Sequence, residues 1–123
     1  MQVLGHNDYY KAYDDRYKKV YKENMLWASR SNTSEVEQTI LEKKISYNNS
    51  ILEIGCGEGR DAIYLLDQGY NVTALEYSIN AIHKCNELSN NKYTDKFIQF
   101  DLFNDTLNEK YDFIYTIAVL HMF

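Results

Sequence analysis

A glycine-rich segment with an acidic residue before it carries the clearest chemical signal in this chain. Glu53 lies near the end of a short apolar run, and the residues 55–59 that follow read Gly-Cys-Gly-Glu-Gly. Glycine has no Cβ, so it lets a ligand approach the backbone and accepts positive φ in a sharp turn. A second carboxylate, Glu76, ends the next apolar run, and a carboxylate can accept both hydrogen bonds of a vicinal ribose diol. The pattern predicts a site for a nucleotide cofactor.

The spacing of these glycines separates this turn from two better-known phosphate-binding loops. Gly55, Gly57 and Gly59 follow the pattern G-x-G-x-G, whereas a dinucleotide fingerprint requires G-x-x-G after its first pair. No Gly-Lys-Ser/Thr follows, which excludes a P-loop. NAD-linked oxidoreduction is therefore a weaker alternative, and no evident hydride-handling residue supports it.

A strand, a turn and a helix must position these residues, and the rest of the chain repeats that alternation. Apolar runs bounded by glycine or polar residues predict strands, and the segments between them have helical spacing. Strands separated by helices imply right-handed crossovers and a parallel sheet, for which we expect the order 3-2-1-4. The predicted strands are 51–54, 71–76, 97–100 and 111–120, and the predicted helices are 59–68, ended by Gly69, and 79–89, with Ser78 as its N-cap.

Two further helices are predicted before the first strand. Tyr9, Tyr13, Tyr17 and Tyr21 recur every fourth residue and form one aromatic stripe, which favours packing over direct ligand contact. Ser34 and Glu37 have the spacing of a capping box. We expect that box to begin a second helix over 35–44, which would bury Val36, Ile40 and Leu41.

The order of these signals resembles the class I S-adenosylmethionine-dependent methyltransferases. The resemblance covers about residues 48 to 123 and rests on Glu53-x-Gly55-x-Gly57-x-Gly59, then Glu76, then Asp101. It implies an α/β, Rossmann-like parallel sheet with S-adenosylmethionine as cofactor and S-adenosylhomocysteine as product. It also implies a cofactor cradle formed by the glycine turn, which includes Cys56.

The resemblance assigns a role to each acid at the end of a strand. Glu53 would orient the amino-acid end of the cofactor, and Glu76 would bind its ribose. Asp101 would meet the adenine amino group, with the Leu102 backbone N–H on a ring nitrogen. A surface charge for Glu53 and a strand-terminating turn for Asp101 are the alternatives.

Two neighbouring side chains have equally open interpretations. Tyr77 would cover the adenine face or lie exposed in a loop. Arg60 would reach the cofactor carboxylate or point into solvent.

The end of the fourth strand indicates the class of methyl acceptor. Methylases of nucleobase amino groups usually carry Asn/Asp/Ser-Pro-Pro-aromatic here, whereas this chain reads Thr116-Ile-Ala-Val-Leu-His-Met-Phe123. The pattern Tyr111-Asp-Phe-Ile-x-x-x-x-Val-Leu-x-Met-Phe123 resembles small-molecule methyltransferases of the tellurite-resistance and thiopurine type. We expect Thr116 at the cofactor site and His121 facing the acceptor as a general base. A packing role for His121 is the alternative.

The N-terminal aromatic residues complete the predicted site. In similar enzymes this segment folds over the cofactor as a lid, where Tyr17 and Trp27 would shield a sulfonium by cation–π contact. Packing of Trp27 between the N-terminal helices and the sheet is equally compatible with the sequence.

Composition limits the class of protein. The net charge is −5, with no basic cluster, which disfavours nucleic-acid binding. No apolar segment approaches the ~20 residues of a membrane span, so we expect a soluble, cytoplasmic protein without a membrane partner. Cys56 and Cys85 lack the paired spacing of metal sites, so we predict free thiols and no metal.

The domain organisation follows from the length and from the resemblance. We expect one domain over 1–123, with a helical lid over 1–47 and a Rossmann-like core over 48–123. Class I methyltransferases continue beyond strand four, so the resemblance implies that this domain is incomplete. Strand four would then be an exposed apolar edge, through which we expect self-association. A non-catalytic Rossmann-like scaffold module is the alternative to an enzyme.

Overall fold

Four parallel strands form one sheet in this chain. The computed structural model describes residues 11–23 and 33–117, and within them the strand order is β3-β2-β1-β4. The predicted order and the α/β class are therefore confirmed. The strands are β1 (Ser50–Ile54), β2 (Asn71–Glu76), β3 (Phe97–Gln99) and β4 (Phe113–Thr116); the helices are α1 (Ala12–Lys22), α2 (Ser34–Glu42), α3 (Arg60–Asp67) and α4 (Ile79–Leu88).

The core of the domain lies around β1 and β2, which occupy the centre of the sheet. Ile51, Leu52 and Val72 are completely buried, as expected for parallel strands that are covered on both faces. Ala62 and Leu65 of α3 pack into the same core. This packing fixes the carboxyl ends of β1 and β2, where the candidate site lies.

Local backbone geometry sets where α3 and α4 begin. Gly59 adopts φ 82°, a left-handed conformation, so α3 begins one residue later than predicted, at Arg60. Ser78 is the N-cap of α4, as predicted, and its hydroxyl accepts a hydrogen bond from the Ala81 N–H at 3.1 Å. The fourth strand is shorter than predicted within the described residues, and 118–123 lie outside them.

The predicted capping box at the start of α2 is wrong. Thr33 is the N-cap, with extended backbone, and Ser34 is already the first helical residue. Asp61 of α3 holds this helix start instead, because its carboxylate accepts hydrogen bonds from the Thr33 N–H and, at 2.8 Å, from the Thr33 hydroxyl. The cap is a tertiary contact, so the local spacing of Ser34 and Glu37 did not reveal it.

The buried face of α2 is narrower than predicted. Val36 and Ile40 are buried, as expected, but Leu41 is 69% exposed. Consecutive helical residues point about 100° apart, so a helix that buries Val36 and Ile40 on one face turns Leu41 away from it. The prediction that Leu41 is buried is wrong.

Helix α1 packs against the start of α4 through polar contacts. The Asp14 carboxylate accepts hydrogen bonds from the Ser78 hydroxyl and, at 3.1 Å, from the Asn80 N–H. Tyr17 and Tyr21 stack with ring centroids 5.8 Å apart. Tyr9 of the predicted stripe and the side chain of Tyr13 are outside the described part of the structure. Within 11–23 and 33–117, no helix is both long and apolar enough to span a bilayer.

Candidate functional site

The glycine turn leaves β1 in a left-handed conformation at three positions. Gly55, Gly57 and Gly59 have φ values of 73°, 55° and 82°, a region that residues with a Cβ rarely adopt. The N–H groups of Gly55 and Cys56 both donate to the Leu75 carbonyl, at 2.7 and 3.0 Å. The turn is therefore anchored to β2 before the chain enters α3.

Glu76 binds the turn through the backbone. Its Oε1 accepts a hydrogen bond from the Gly57 N–H at 2.9 Å, and its Oε2 accepts one from the Ser78 N–H at 2.8 Å. Burial raises the pKa of Glu76, and these two N–H donors oppose the rise. Each carboxylate oxygen has two acceptor sites, so Glu76 keeps capacity for further donors, such as ribose hydroxyls.

Glu53 is a buried acid at the carboxyl end of β1. It is 3% exposed, and its Oε1 accepts a hydrogen bond from the Tyr115 hydroxyl at 3.1 Å. Within the described residues no salt bridge joins Glu53 to a cationic side chain. Burial raises the pKa of Glu53 to about 8, and the negative charge of Asp61 adds to the rise. The reading of Glu53 as a surface charge is therefore wrong.

Tyr17 brings helix α1 to the glycine turn. A Cβ placed on Gly57 would lie 3.0 Å from the Tyr17 hydroxyl oxygen. Burial raises the pKa of Tyr17, and the charges of Glu76 and Glu58 raise it further. Of the aromatic residues predicted for a lid, Tyr17 lies beside the turn, whereas Trp27 is outside the described residues.

Two thiols lie beside the Gly57 carbonyl, one in the turn and one on α4. The Cys85 Sγ donates to the Gly57 carbonyl at 3.1 Å, and the Cys56 Sγ lies 3.7 Å from the same oxygen. Both cysteines are free and buried. A hydrogen bond with Cys85 and burial raise the pKa of the Cys56 thiol. In the described residues, no group of three His, Cys, Asp or Glu side chains is arranged to hold a metal ion.

Three predicted site residues lie at the start of α3 or at the carboxyl ends of β2 and β4. The Arg60 Nε is 3.8 Å from the Asp61 Oδ2, and the Arg60 side chain is 35% exposed. Its contact with the cofactor carboxylate stays a prediction. Tyr77 is half-buried, and its carbonyl accepts a hydrogen bond from the Gln99 amide at 3.1 Å. Thr116 donates its hydroxyl hydrogen to the Ile54 carbonyl at 2.9 Å, which ties β4 to the end of β1.

Asp101 and Leu102 follow β3 at the same edge of the sheet. The Asp101 carboxylate accepts hydrogen bonds from the Phe103 N–H at 3.0 Å and from the Asn104 side-chain amide at 2.8 Å. This is the geometry of a turn aspartate, the alternative that the sequence left open. Leu102 is exposed. The adenine contacts that the resemblance implies for this pair stay predictions.

His121 lies outside the described residues, and its role as a general base stays a prediction. Sequence reasoning missed Tyr115 and Asp61, which both act on Glu53. The register of the sheet contains the signal for Tyr115, since Glu53 is directly opposite Tyr115 in the pairing of β1 with β4. The predicted strand order makes β1 and β4 neighbours, but both are apolar runs, so periodicity alone does not fix which of their residues pair.

Comparison with known proteins gives consistent results. A family model described as tellurite resistance protein TehB matches residues 9–123. A probable S-adenosyl-L-methionine-dependent methyltransferase TehB from Haemophilus influenzae is 28% identical over 100 residues, which are 80% of this chain and 35% of that protein. This chain thus spans about a third of the length of that relative.

Solved structures with the same arrangement include methyltransferases. The crystal structure of TehB from Haemophilus influenzae aligns with a TM-score of 0.58 and 30% identity, over 68% of this chain and 29% of that one. The glycopeptide N-methyltransferase MtfA complexed with sinefungin aligns with a TM-score of 0.59 and 24% identity, over 72% of this chain and 37% of that one. At that lower identity the second likeness concerns the fold alone.

Proposed function

Because this chain belongs to the tellurite resistance protein TehB family, we propose that it is the cofactor-binding part of an S-adenosylmethionine-dependent methyltransferase acting on a small molecule. The resemblance to class I methyltransferases is confirmed by this membership. The observation that carries the proposal is the placement of Glu53 and Glu76 at the carboxyl ends of adjacent strands, on either side of a left-handed glycine turn. Ligands of open α/β sheets bind at this edge.

The residues present fit this cofactor. Glu53 is a buried carboxylate without a cationic partner in the described residues, so it suits the cofactor's ammonium group. Glu76 suits a ribose diol, and a Cβ at Gly57 would lie 3.0 Å from the Tyr17 hydroxyl oxygen, so the turn is closely packed there without a side chain. When bound, S-adenosylmethionine supplies a methyl group whose bond to sulfur breaks as its bond to the acceptor forms. The chain's own residues hold the donor in line and exclude water.

Isothermal titration calorimetry with S-adenosylmethionine, S-adenosylhomocysteine and NAD tests this proposal. We expect the first two to bind, and Glu53→Gln and Glu76→Gln each to weaken that binding by at least about tenfold. Glu109→Gln is the matched control, because Glu109 is exposed and accepts a hydrogen bond from the nearby Tyr111. No binding by the wild type, a preference for NAD, or normal binding by both site variants would contradict the proposal.

We also propose a small-molecule acceptor, a cytoplasmic location and self-association. The acidic net charge of −5 supports a small-molecule acceptor by disfavouring nucleic acid, and the free thiols Cys56 and Cys85 support a reducing compartment.

Self-association through β4 is supported by its position in the sheet. Within the described residues β4 pairs with β1 along one side, and its Ile114 is 53% exposed, which supports pairing through that edge. Sedimentation should show concentration-dependent association that Ile114→Lys weakens; a monomer at all concentrations would contradict it.

The division of the domain is likewise a proposal. Residues 1–47 would form a lid over a core of 48–123. The position of Tyr17 beside Gly57 supports that division.

A further inference from the structure

We propose that Tyr115 is a positioning residue of the cofactor site: its hydroxyl favours the charged form of Glu53 and orients that carboxylate for the amino group of the cofactor. This inference rests on the proposed function and adds to it a residue outside the motif of Glu53 to Gly59, Glu76 and Asp101 that carries the resemblance. Tyr115 would not touch the reacting atoms. It would act through Glu53 alone.

The register of the sheet places the two side chains together. Glu53 of β1 and Tyr115 of β4 are directly paired across parallel strands, so both project from the same face of the sheet. The Tyr115 hydroxyl lies 3.1 Å from the Glu53 Oε1, and Tyr115 is 9% exposed. A hydrogen bond between two buried groups of a β-sheet has little freedom to rearrange, so it fixes the direction of the carboxylate.

The charged groups around Glu53 make this hydrogen bond important. Asp61 on α3 and Glu76 on β2 both raise the pKa of Glu53 by repulsion, and the Cys56 thiol of the turn is also close. Two groups oppose that rise, the Tyr115 hydroxyl and the Arg60 guanidinium. The Arg60 Nε lies 3.8 Å from Asp61, on a side chain that is 35% exposed. Tyr115 is therefore the buried, directly bonded group that favours the Glu53 carboxylate.

A linkage between proton release and cofactor binding follows. Burial raises the pKa of Glu53 to about 8, so near neutral pH most of the free protein holds Glu53 protonated. A cationic amino group binds the carboxylate, so binding must remove that proton. Affinity should then increase with pH until the midpoint of the Glu53 titration is passed. Without the Tyr115 hydroxyl the charged form loses a donor, so the midpoint moves to higher pH.

The test is the affinity for S-adenosylhomocysteine between pH 6 and 9.5, measured by calorimetry on the whole chain. In Tyr115→Phe we expect the midpoint to rise by about one pH unit and the affinity at pH 7.5 to fall about tenfold, with near wild-type affinity at pH 9.5. The amino group of the ligand titrates identically with every variant, so differences in the midpoint belong to the protein. Tyr111→Phe is the matched control, because half-buried Tyr111 donates to Glu109 at the same 3.1 Å in a hydrogen bond that is exposed to solvent.

The possible results separate this inference from the proposed function. If the wild type does not bind S-adenosylhomocysteine at any pH, both the proposed function and the role of Tyr115 are contradicted. Wild-type binding together with a loss in Tyr115→Phe that is equal at every pH indicates a structural role and overturns the inference alone. If Tyr115→Phe does not fold, Glu53→Gln gives a second test. In this variant the increase of affinity with pH should vanish. If the increase persists, another group causes it, and the inference is overturned.

Discussion

Two acids end neighbouring strands of the same sheet, and the protein holds them in different ways. Glu76 accepts hydrogen bonds from backbone N–H groups, among them those of Gly57 and Ser78. Glu53 accepts one from a side chain, the Tyr115 hydroxyl, in surroundings that leave it 3% exposed. Backbone groups close in the chain position Glu76, whereas among the described residues a side chain of another strand, Tyr115, holds Glu53.

The difference indicates a structural role for Glu76 and a binding role for Glu53. Glu76 stabilises the turn whether or not a ligand is present, because its donors belong to the turn and to the start of α4. Glu53 is an acid whose burial is unfavourable in the charged form until a cation joins it. Glu76 therefore stabilises the fold, whereas the charged form of Glu53 destabilises it and suits the binding of a cation. The following predictions test that contrast, beginning with the largest expected effect.

Glu53→Gln should stabilise the free protein at alkaline pH. The unfolded chain loses the Glu53 proton near the ordinary pKa of about 4.5, while the folded chain keeps it until about pH 8. The unfolded state thus binds fewer protons in this window, and the free energy of unfolding of the wild type falls as pH rises through it. At pH 8.5 the variant should exceed the wild type by on the order of 4 kcal/mol. Urea unfolding at pH 5 and 8.5 measures this, and an equal difference at both values would refute it.

Glu76→Gln should have the opposite sign. At least one of its backbone donors would face an amide N–H₂ group instead of an oxygen, so we expect the free energy of unfolding to fall by about 2 kcal/mol. The same urea series at pH 8.5 measures it. Glu109→Gln, at an exposed position, should change little. If Glu76→Gln were as stabilising as Glu53→Gln, the contrast between the two acids would disappear.

Gly57→Ala should destabilise the turn that donates a hydrogen bond to Glu76. The position has φ 55°, and the new methyl group would lie 3.0 Å from the Tyr17 hydroxyl, so we expect a loss of about 1 to 2 kcal/mol. Tyr17→Phe removes the oxygen that the methyl group meets. The double variant should therefore lose less than the two single variants added together, and simple additivity in urea unfolding would count against this contact.

Asp14→Asn should give the smallest effect, about 1 kcal/mol, because Asp14 accepts hydrogen bonds at the N-terminus of α4. Burial opposes ionisation, but the bonds from Ser78 and Asn80 lower the pKa of Asp14. Its contribution is thus present above the ordinary aspartate pKa and is lost as pH falls through the lowered value. Thermal unfolding at pH 7 measures the loss. Asp15→Asn, exposed on the same helix, is the control and should match the wild type.

The parts of this molecule that sequence predicted are those encoded by neighbouring residues. The apolar run of β1, the glycine turn and the N-cap Ser78 each have a local physical cause, and all three are present. Strand order followed from the alternation of strands and helices together with the resemblance.

The parts that sequence missed join distant segments. Asp61 caps α2 from 28 residues away, and Tyr115 reaches Glu53 across 62 residues. Neither partner is indicated by periodicity. The error at Leu41 has the same origin, because the width of a buried helix face depends on what packs against it.

The shared acceptor in Glu76 has a consequence for how the turn opens. The amide hydrogens of Gly57 and Ser78 belong to separate segments, yet both are bound by the two oxygens of one carboxylate. Swinging that carboxylate away exposes both amides to solvent at once. Their deuterium uptake should therefore rise and fall together across conditions, so that the β1 and β2 turns open as a single unit.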